Sequence, residues 1–216
     1  MRDAPYLIGI AGPSGAGKSF LAAHLAEPLK APVLALDHYY RDLSHLAFEQ
    51  RLLTNFDKPS ALEHELLISQ VNQLQLSNVV AVPTYDFSQH TRTSKPTLLE
   101  PAPFIILEGL FTLCWPDLRN LLGTGVYVET DENECFARRL DRDVHERGRT
   151  PESVVRQYRE TVVPMAVRYV LPTRQRADVV VSGTEAIEEN VARILHHVRK
   201  RLAQVEAEDR AIPLKG

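Results

Sequence analysis

The chain has 216 residues, 44% of them hydrophobic and 25% charged, with a formal net charge of -3. These are the values of a folded domain with a real core, and they exclude disordered, collagen-like and low-complexity classes. The small negative charge offers no general attraction to nucleic acid or anionic lipid, and no apolar run approaches the roughly 20 residues of a transmembrane helix, so a cytoplasmic protein with neither a nucleic-acid nor a membrane partner is expected.

Tyr6 to Ala11 opens the chain as an apolar run ending at glycines, and Lys18 to Leu29 carries Phe20, Leu21, Leu25 and Leu29 at helical spacing. Further short, continuous apolar strands are expected at Val33 to Leu36, Phe104 to Leu107, Val126 to Val128 and Val179 to Val181. Strands of this kind are buried on both faces and imply a five-stranded parallel sheet flanked by helices. Helices are expected over Ala61 to Leu76 and Glu132 to Arg147, another starts at Pro151 with proline in its first turn, and Thr184 to Glu206 closes the pattern before a frayed tail, Ala207 to Gly216. Val79 to Val82 and Thr97 to Leu99 flank a polar loop and predict a β-hairpin insert. One domain, 1–216, is expected, with the insert at about 79–99 and a helical lid at about 133–163.

Gly12-Pro13-Ser14-Gly15-Ala16-Gly17-Lys18-Ser19 lies between the first strand and the first helix, the setting that the phosphate-loop pattern requires. A polyphosphate is wrapped by backbone N–H groups, and only a glycine-rich loop can turn several of them inward together. Lys18 is the residue to reach the β- and γ-phosphates, the Ser19 hydroxyl is a Mg2+ ligand, and Phe20 follows at the edge of the nucleotide site. Glu108, at the end of the Phe104 strand, is carried to the same rim as a second group for the metal; a surface or capping acid is the competing reading. Asp37 ends the Val33 strand at the same carboxyl edge, where it can take the proton of an attacking hydroxyl; an N-cap is its alternative. A phosphate loop by itself does not separate a kinase from a nucleotide-dependent switch, but the chain lacks the Asn-Lys-x-Asp sequence of a guanine-selecting switch.

Tyr85, Phe87 and His90 within one short loop suit a flat base with polar edges, although local aromatic packing is the commoner use of such residues. Arg139 and Arg142, three apart on one helix, share a face from which both can reach a developing phosphoryl charge, and Arg147 and Arg149 follow at its end. A solvated helix face is the alternative, and it is preferred for Arg138 and Asp141. The two cysteines, Cys114 and Cys135, have no metal-ligand spacing, and His24, His45, His64, His145, His196 and His197 show none on a shared face.

Asp37-His38-Tyr39-Tyr40, Asn55-Phe56-Asp57-Lys58-Pro59, Pro83-Thr84-Tyr85-Asp86-Phe87 with His90 and Arg92, Glu108-Gly109, and Arg142-Asp143-Val144-His145-Glu146-Arg147-Gly148-Arg149 follow one another as in uridine kinases. From about Ile8 to Val181 the chain resembles the uridine-cytidine kinase family rather than its phosphoribulokinase and pantothenate kinase relatives. The resemblance implies an α/β fold of the P-loop NTPase type, a three-layer sandwich, and transfer of phosphate from ATP or GTP with Mg2+ to the 5′-hydroxyl of uridine or cytidine. It further implies that Asp37 is the catalytic base, with Asp57 and Arg139 or Arg142 near the ribose and the transferred phosphoryl group. Tyr40, Phe56, Tyr85 and Phe87 would line the nucleoside pocket, His90 would bond the base edge, and Arg147, Arg149 and Gln157 would complete the lid and sugar contacts. A homo-oligomer, a tetramer inhibited by CTP, is implied as well. The chain departs from the pattern at Lys58-Pro59-Ser60, where His-Pro-Asp commonly follows Asn-Phe-Asp, and at Cys135-Phe136, where Arg-Leu is frequent. The remaining alternatives are a related kinase for another small hydroxyl compound and a catalytically inactive nucleotide-dependent regulatory protein.

Overall fold

Every residue of strand β1 (Tyr6–Ala11) is buried, because the strand is covered on both faces. The computed structural model describes residues 4–211. After β1 come α1 (Lys18–Leu29), β2 (Val33–Ala35), α2 (Phe48–Leu52) and α3 (His64–Gln75). Four short strands follow, β3 (Val80–Val82), β4 (Tyr85–Asp86), β5 (Thr91–Arg92) and β6 (Thr97–Leu99), then β7 (Phe104–Glu108), α4 (Pro116–Leu121) and β8 (Thr124–Glu129). The chain ends with α5 (Glu132–His145), α6 (Pro151–Gln157), α7 (Val163–Met165), β9 (Val179–Ser182) and α8 (Ile187–Ala211).

Five of the strands form one parallel sheet in the order β2-β7-β1-β8-β9. Successive side chains of a strand point to opposite faces: Leu7 and Ala11 join Leu67, Val71 and Leu74 of α3 and Leu118 of α4, whereas Tyr6, Ile8 and Ile10 join Leu21 and Leu25 of α1 and Ile194 and Val198 of α8. The result is the expected three-layer sandwich, and each aliphatic side chain fully buried in it contributes roughly 2 kcal/mol. The connection from β1 runs towards β2 at one edge of the sheet and that from β7 runs the other way, to β8, so a crevice opens at the carboxyl ends of β1 and β7, beside β2, where α/β folds bind ligands.

Several boundaries differ from the sequence expectation. Strand β2 stops at Ala35 rather than Leu36, because Ala35 pairs with Glu108, the last residue of β7, and no partner remains beyond it; Leu36–Tyr39 winds into a 3-10 turn instead. Helix α3 starts at His64, not Ala61, since Ala61 O accepts from Arg41 N (2.9 Å) and Glu63 N donates to Tyr39 O (2.7 Å), holding the intervening backbone extended. The insert is a hairpin interrupted midway, with β3 paired to β6 and β4 to β5, all antiparallel. The short helices α2 and α4 were not foreseen. Helix α8 begins later and ends later than expected, at Ala211, so 207–211 is helical and the rest of the frayed-tail expectation lies outside the described residues. The helical run expected as a lid extends past 163: α6 passes through π-helical turns at Tyr158–Val162 and Ala166–Val170 and a 3-10 turn at Leu171–Arg176. Pro164 and Pro172 lie within this run; each lacks an N–H and crowds the carbonyl one turn back, which a wider turn relieves.

Candidate active site

The phosphate loop is shaped by three left-handed glycines, Gly12 (φ 147°), Gly15 (φ 85°) and Gly17 (φ 98°). A Cβ on Gly15 would stand 2.2 Å from Cys135 O, so the loop is both twisted and pressed against α5 there. Gly17 caps α1, whose N-terminus faces the crevice. Lys18 is buried and its Nζ donates to Pro13 O (2.8 Å). Burial lowers its pKa, while Glu108 and Asp37 pull it back up.

Ser19 Oγ donates to Glu108 Oε1 at 3.1 Å. Glu108 is buried at the end of β7; burial raises its pKa, Lys18 lowers it and Asp37 raises it further. Asp37 stands half-buried in the 3-10 turn after β2, on the wall of the same cavity. Ser19 and Glu108 together offer hard oxygen donors beside the phosphate loop. That set suits Mg2+, which takes one or two protein oxygens and fills its remaining positions with water and substrate phosphates.

Across the cavity Tyr85, Phe87 and His90 of the insert form an aromatic slot with Tyr40 and Phe56 from the segments before it. Tyr40 meets Phe56 edge-on (5.2 Å between centroids) and Tyr85 at 5.3 Å, and Tyr85 meets Phe87 at 5.3 Å. The His90 ring stacks on Phe56 (5.0 Å, 17° between planes). Burial lowers the His90 pKa, and Arg149 and Arg147 lower it further, so its neutral form is favoured. The hairpin is pinned by Arg92, which donates to Tyr40 O (2.9 Å), Tyr39 O (3.2 Å) and Glu63 (2.6 Å), and by Thr91 Oγ1 donating to Asp42 (2.6 Å).

Helix α5 closes the third side with an unusual buried stripe, Cys135, Arg139 and Asp143, spaced four apart. Arg139 Nη1 donates to Asp57 Oδ1 (3.3 Å) and Nη2 to Gln157 Oε1 (3.3 Å), and Arg149 donates to the same Gln157 oxygen. Asp57 is buried, and its Oδ2 has no hydrogen-bond partner among the described residues, so an acceptor is left for a hydroxyl donor. The Arg147 guanidinium lies over the Phe87 ring, 4.9 Å from its centroid, and joins the cationic wall to the aromatic one.

The cavity encloses about 200 Å3, the size of one small molecule. Lys18, Ser19, Asp37 and Glu108 line it together with Tyr40, Phe56, Asp57, Tyr85, Phe87, His90, Arg139, Arg142, Arg147, Arg149 and Gln157, so the sequence candidates for catalysis, metal and acceptor meet in one space. Of the loop residues only Ser14, Lys18 and Ser19 face it; Gly12, Pro13, Gly15, Ala16 and Gly17 shape the loop. Phe20 is 60% exposed and, with Gly17, Arg138, Gly183 and Ile187, lines a separate hollow at the outer end of the loop. Arg138 is turned away from the cavity, to Glu134 (2.8 Å) and Gly183 O (3.0 Å), and is half-buried beside the outer hollow rather than on a solvated face, whereas Asp141 is paired with His145 on the exposed side of the helix. Lys58 is exposed and does not line the cavity. Sequence reasoning missed Ser88 and Leu110 in the lining and Asp143 behind it. The signal for Asp143 was its place four residues after Arg139 and eight after Cys135, on the inward stripe of α5.

The family described as Phosphoribulokinase / Uridine kinase family matches residues 7–188. A uridine kinase of Shewanella pealeana is 45% identical over 201 residues, covering 88% of this chain and 95% of that protein. One of Aliivibrio fischeri (strain MJ11) is 44% identical over 182 residues, covering 81% and 85%. Among solved structures, D-glycerate 3-kinase from Cryptococcus neoformans superposes with a TM-score of 0.58 at 16% identity over 77% of this chain and 79% of that one, a likeness of fold.

Proposed function

Because this chain belongs to the phosphoribulokinase/uridine kinase family, we propose that it transfers the γ-phosphoryl group of ATP or GTP to the 5′-hydroxyl of uridine or cytidine. The observation that carries this reading is that one cavity holds the Asp37 carboxylate, Lys18, the Ser19–Glu108 pair and an aromatic slot. In this reading the nucleoside base lies among Tyr40, Phe56, Tyr85 and Phe87 with His90 at its edge, and the free Asp57 oxygen accepts from the ribose. Asp37 takes the proton of the 5′-hydroxyl as its oxygen bonds to the γ-phosphorus, and the bond from that phosphorus to the bridging oxygen breaks to release the nucleoside diphosphate. Lys18 and the arginines at 139, 142, 147 and 149 balance the charge on the moving phosphoryl oxygens and keep water out. Ser19 and Glu108 would hold Mg2+, which offsets negative charge on the phosphates. The hollow beside Gly17 and Phe20 suits the donor's base, because it lies beyond the helix end of the phosphate loop. The reading further includes one domain over the whole chain and assembly as a homotetramer.

Asp37→Asn tests the central step. Uridine-dependent ADP release should fall by about 100-fold or more, while ADP affinity stays within about threefold. Unchanged turnover would remove Asp37 from the chemistry. A wild-type panel of uridine, cytidine, ribulose 5-phosphate and pantothenate identifies the acceptor, and turnover confined to either of the last two would overturn the nucleoside assignment.

A further inference from the structure

Four arginines wall one side of the cavity, and four guanidiniums so close together repel one another and pay a desolvation penalty as well. Their common partner is Asp143. Its side chain is wholly buried, and it is absent from the cavity lining that Arg139, Arg142, Arg147 and Arg149 share. The Oδ1 atom accepts from Arg142 Nε (3.0 Å) and Nη2 (2.8 Å) and faces Arg147 Nη1 (3.4 Å). The Oδ2 atom faces Arg139 Nε and Arg149 Nη1, each at 3.5 Å. Asp57 pairs with Arg139, and Gln157 offers Arg139 and Arg149 only a neutral oxygen, so among the described residues Asp143 is the carboxylate within ion-pair distance of Arg142, Arg147 and Arg149.

We propose that Asp143 is a positioning residue: a buried counter-ion that gathers the four arginines before phosphate arrives and competes with phosphate for their N–H donors. The proposal rests on the phosphoryl-transfer reading of the cavity. The chain builds the arrangement from local parts, with Arg139 four residues before Asp143 on α5, Arg142 adjacent to it, and Arg147 and Arg149 in the turn that follows. Burial by itself would raise the Asp143 pKa, yet Arg142, Arg139 and Arg147 together hold it below the ordinary value, so the counter-ion stays charged.

The two effects of such a counter-ion have opposite signs. It places the guanidiniums for the transition state, which raises turnover, and it occupies their donors in the resting site, which weakens anion binding. A purely structural buried ion pair would lower both together when broken. The test is steady-state uridine phosphorylation and calorimetric binding of tripolyphosphate with the full chain. Asp143→Asn should lower kcat by about tenfold or more and tighten the tripolyphosphate Kd by about threefold, and Asp143→Glu should recover part of kcat with a Kd nearer the wild-type value. Wild-type kcat in Asp143→Asn, or kcat and affinity falling in parallel in a cooperatively melting variant, overturns the proposal. Should Asp143→Asn not fold, Asp143→Glu decides: lowered kcat with unchanged or tighter tripolyphosphate binding supports the role, and any other result overturns it. A wild-type protein inert toward uridine sinks the proposed reaction, and Asp143 is then judged on tripolyphosphate binding alone.

Discussion

Lys18 and Glu108 show how burial acts on opposite charges at one site. Desolvation lowers the pKa of the amine and raises that of the carboxyl, each toward its neutral form, and their mutual attraction opposes both shifts. Gly15 shows a different constraint, because its backbone is left-handed and a methyl group there would collide with Cys135 O. Gly15→Ala must therefore distort the phosphate loop or push α5 away. We expect a loss of about 1–3 kcal/mol in urea unfolding together with weaker ADP binding, and a variant equal to wild type in both measurements would mean that the loop yields freely. The need for glycine was legible in the sequence from the motif. The collision partner was not, since Cys135 stands 120 positions away and only packing brings it close.

At the scale of elements, the insert is positioned by side chains rather than by its own strands. Its ladders are two and three residues long, too short to be stable alone, and Arg51 adds to the Arg92 and Thr91 ties by donating to Gln89 O (3.0 Å). The Thr91 hydroxyl is the largest cause holding the Asp42 carboxyl down at about 2. The folded protein therefore binds a proton at Asp42 more weakly than the unfolded chain does. Its contribution is present above the unfolded pKa of about 4 and is lost as pH falls through the folded value of about 2. Thr91→Val should flatten the fall in melting temperature between about pH 5 and pH 2.5; an acid limb as steep as that of the wild type would show that the tether contributes nothing. The hairpin was legible here because Val79 to Val82 and Thr97 to Leu99 are short extended runs that flank a polar loop. That pattern could not reveal where the hairpin docks, since the ties to Tyr39, Tyr40 and Asp42 span 49 to 53 residues.

Across the whole molecule, β1 sends alternate side chains into two cores, so neither layer of helices can leave without exposing the sheet. This coupling supports a single cooperative unit, including the insert, whose Val80, Val82 and Tyr85 belong to the same core as Leu7. Trp115 is the single tryptophan and packs against Phe111 and His64 at the edge of that core. Urea curves from Trp115 fluorescence and far-ultraviolet circular dichroism should share one midpoint, and two separated transitions would divide the chain into independent parts. No helix among the described residues is long and apolar enough to cross a membrane.

The sequence by itself determined what depends on near neighbours: the phosphate loop, the buried parallel strands, the helix starting at Pro151, and the acid carried to a strand end at Glu108, with Asp37 falling just past its strand in a 3-10 turn. These follow from glycine dihedrals, hydrophobic period and proline geometry, all local properties. Only the tertiary structure decided which distant groups face one another. Arg139 reaches Asp57 across 82 residues and Ser19 reaches Glu108 across 89, because the sheet order sets β7 beside β1 and gathers the carboxyl ends at one crevice. The partners of Asp143 were decided there too: its spacing from Arg139 and Cys135 places it on the inward stripe of α5, but its ion pairs with four arginines belong to the folded chain.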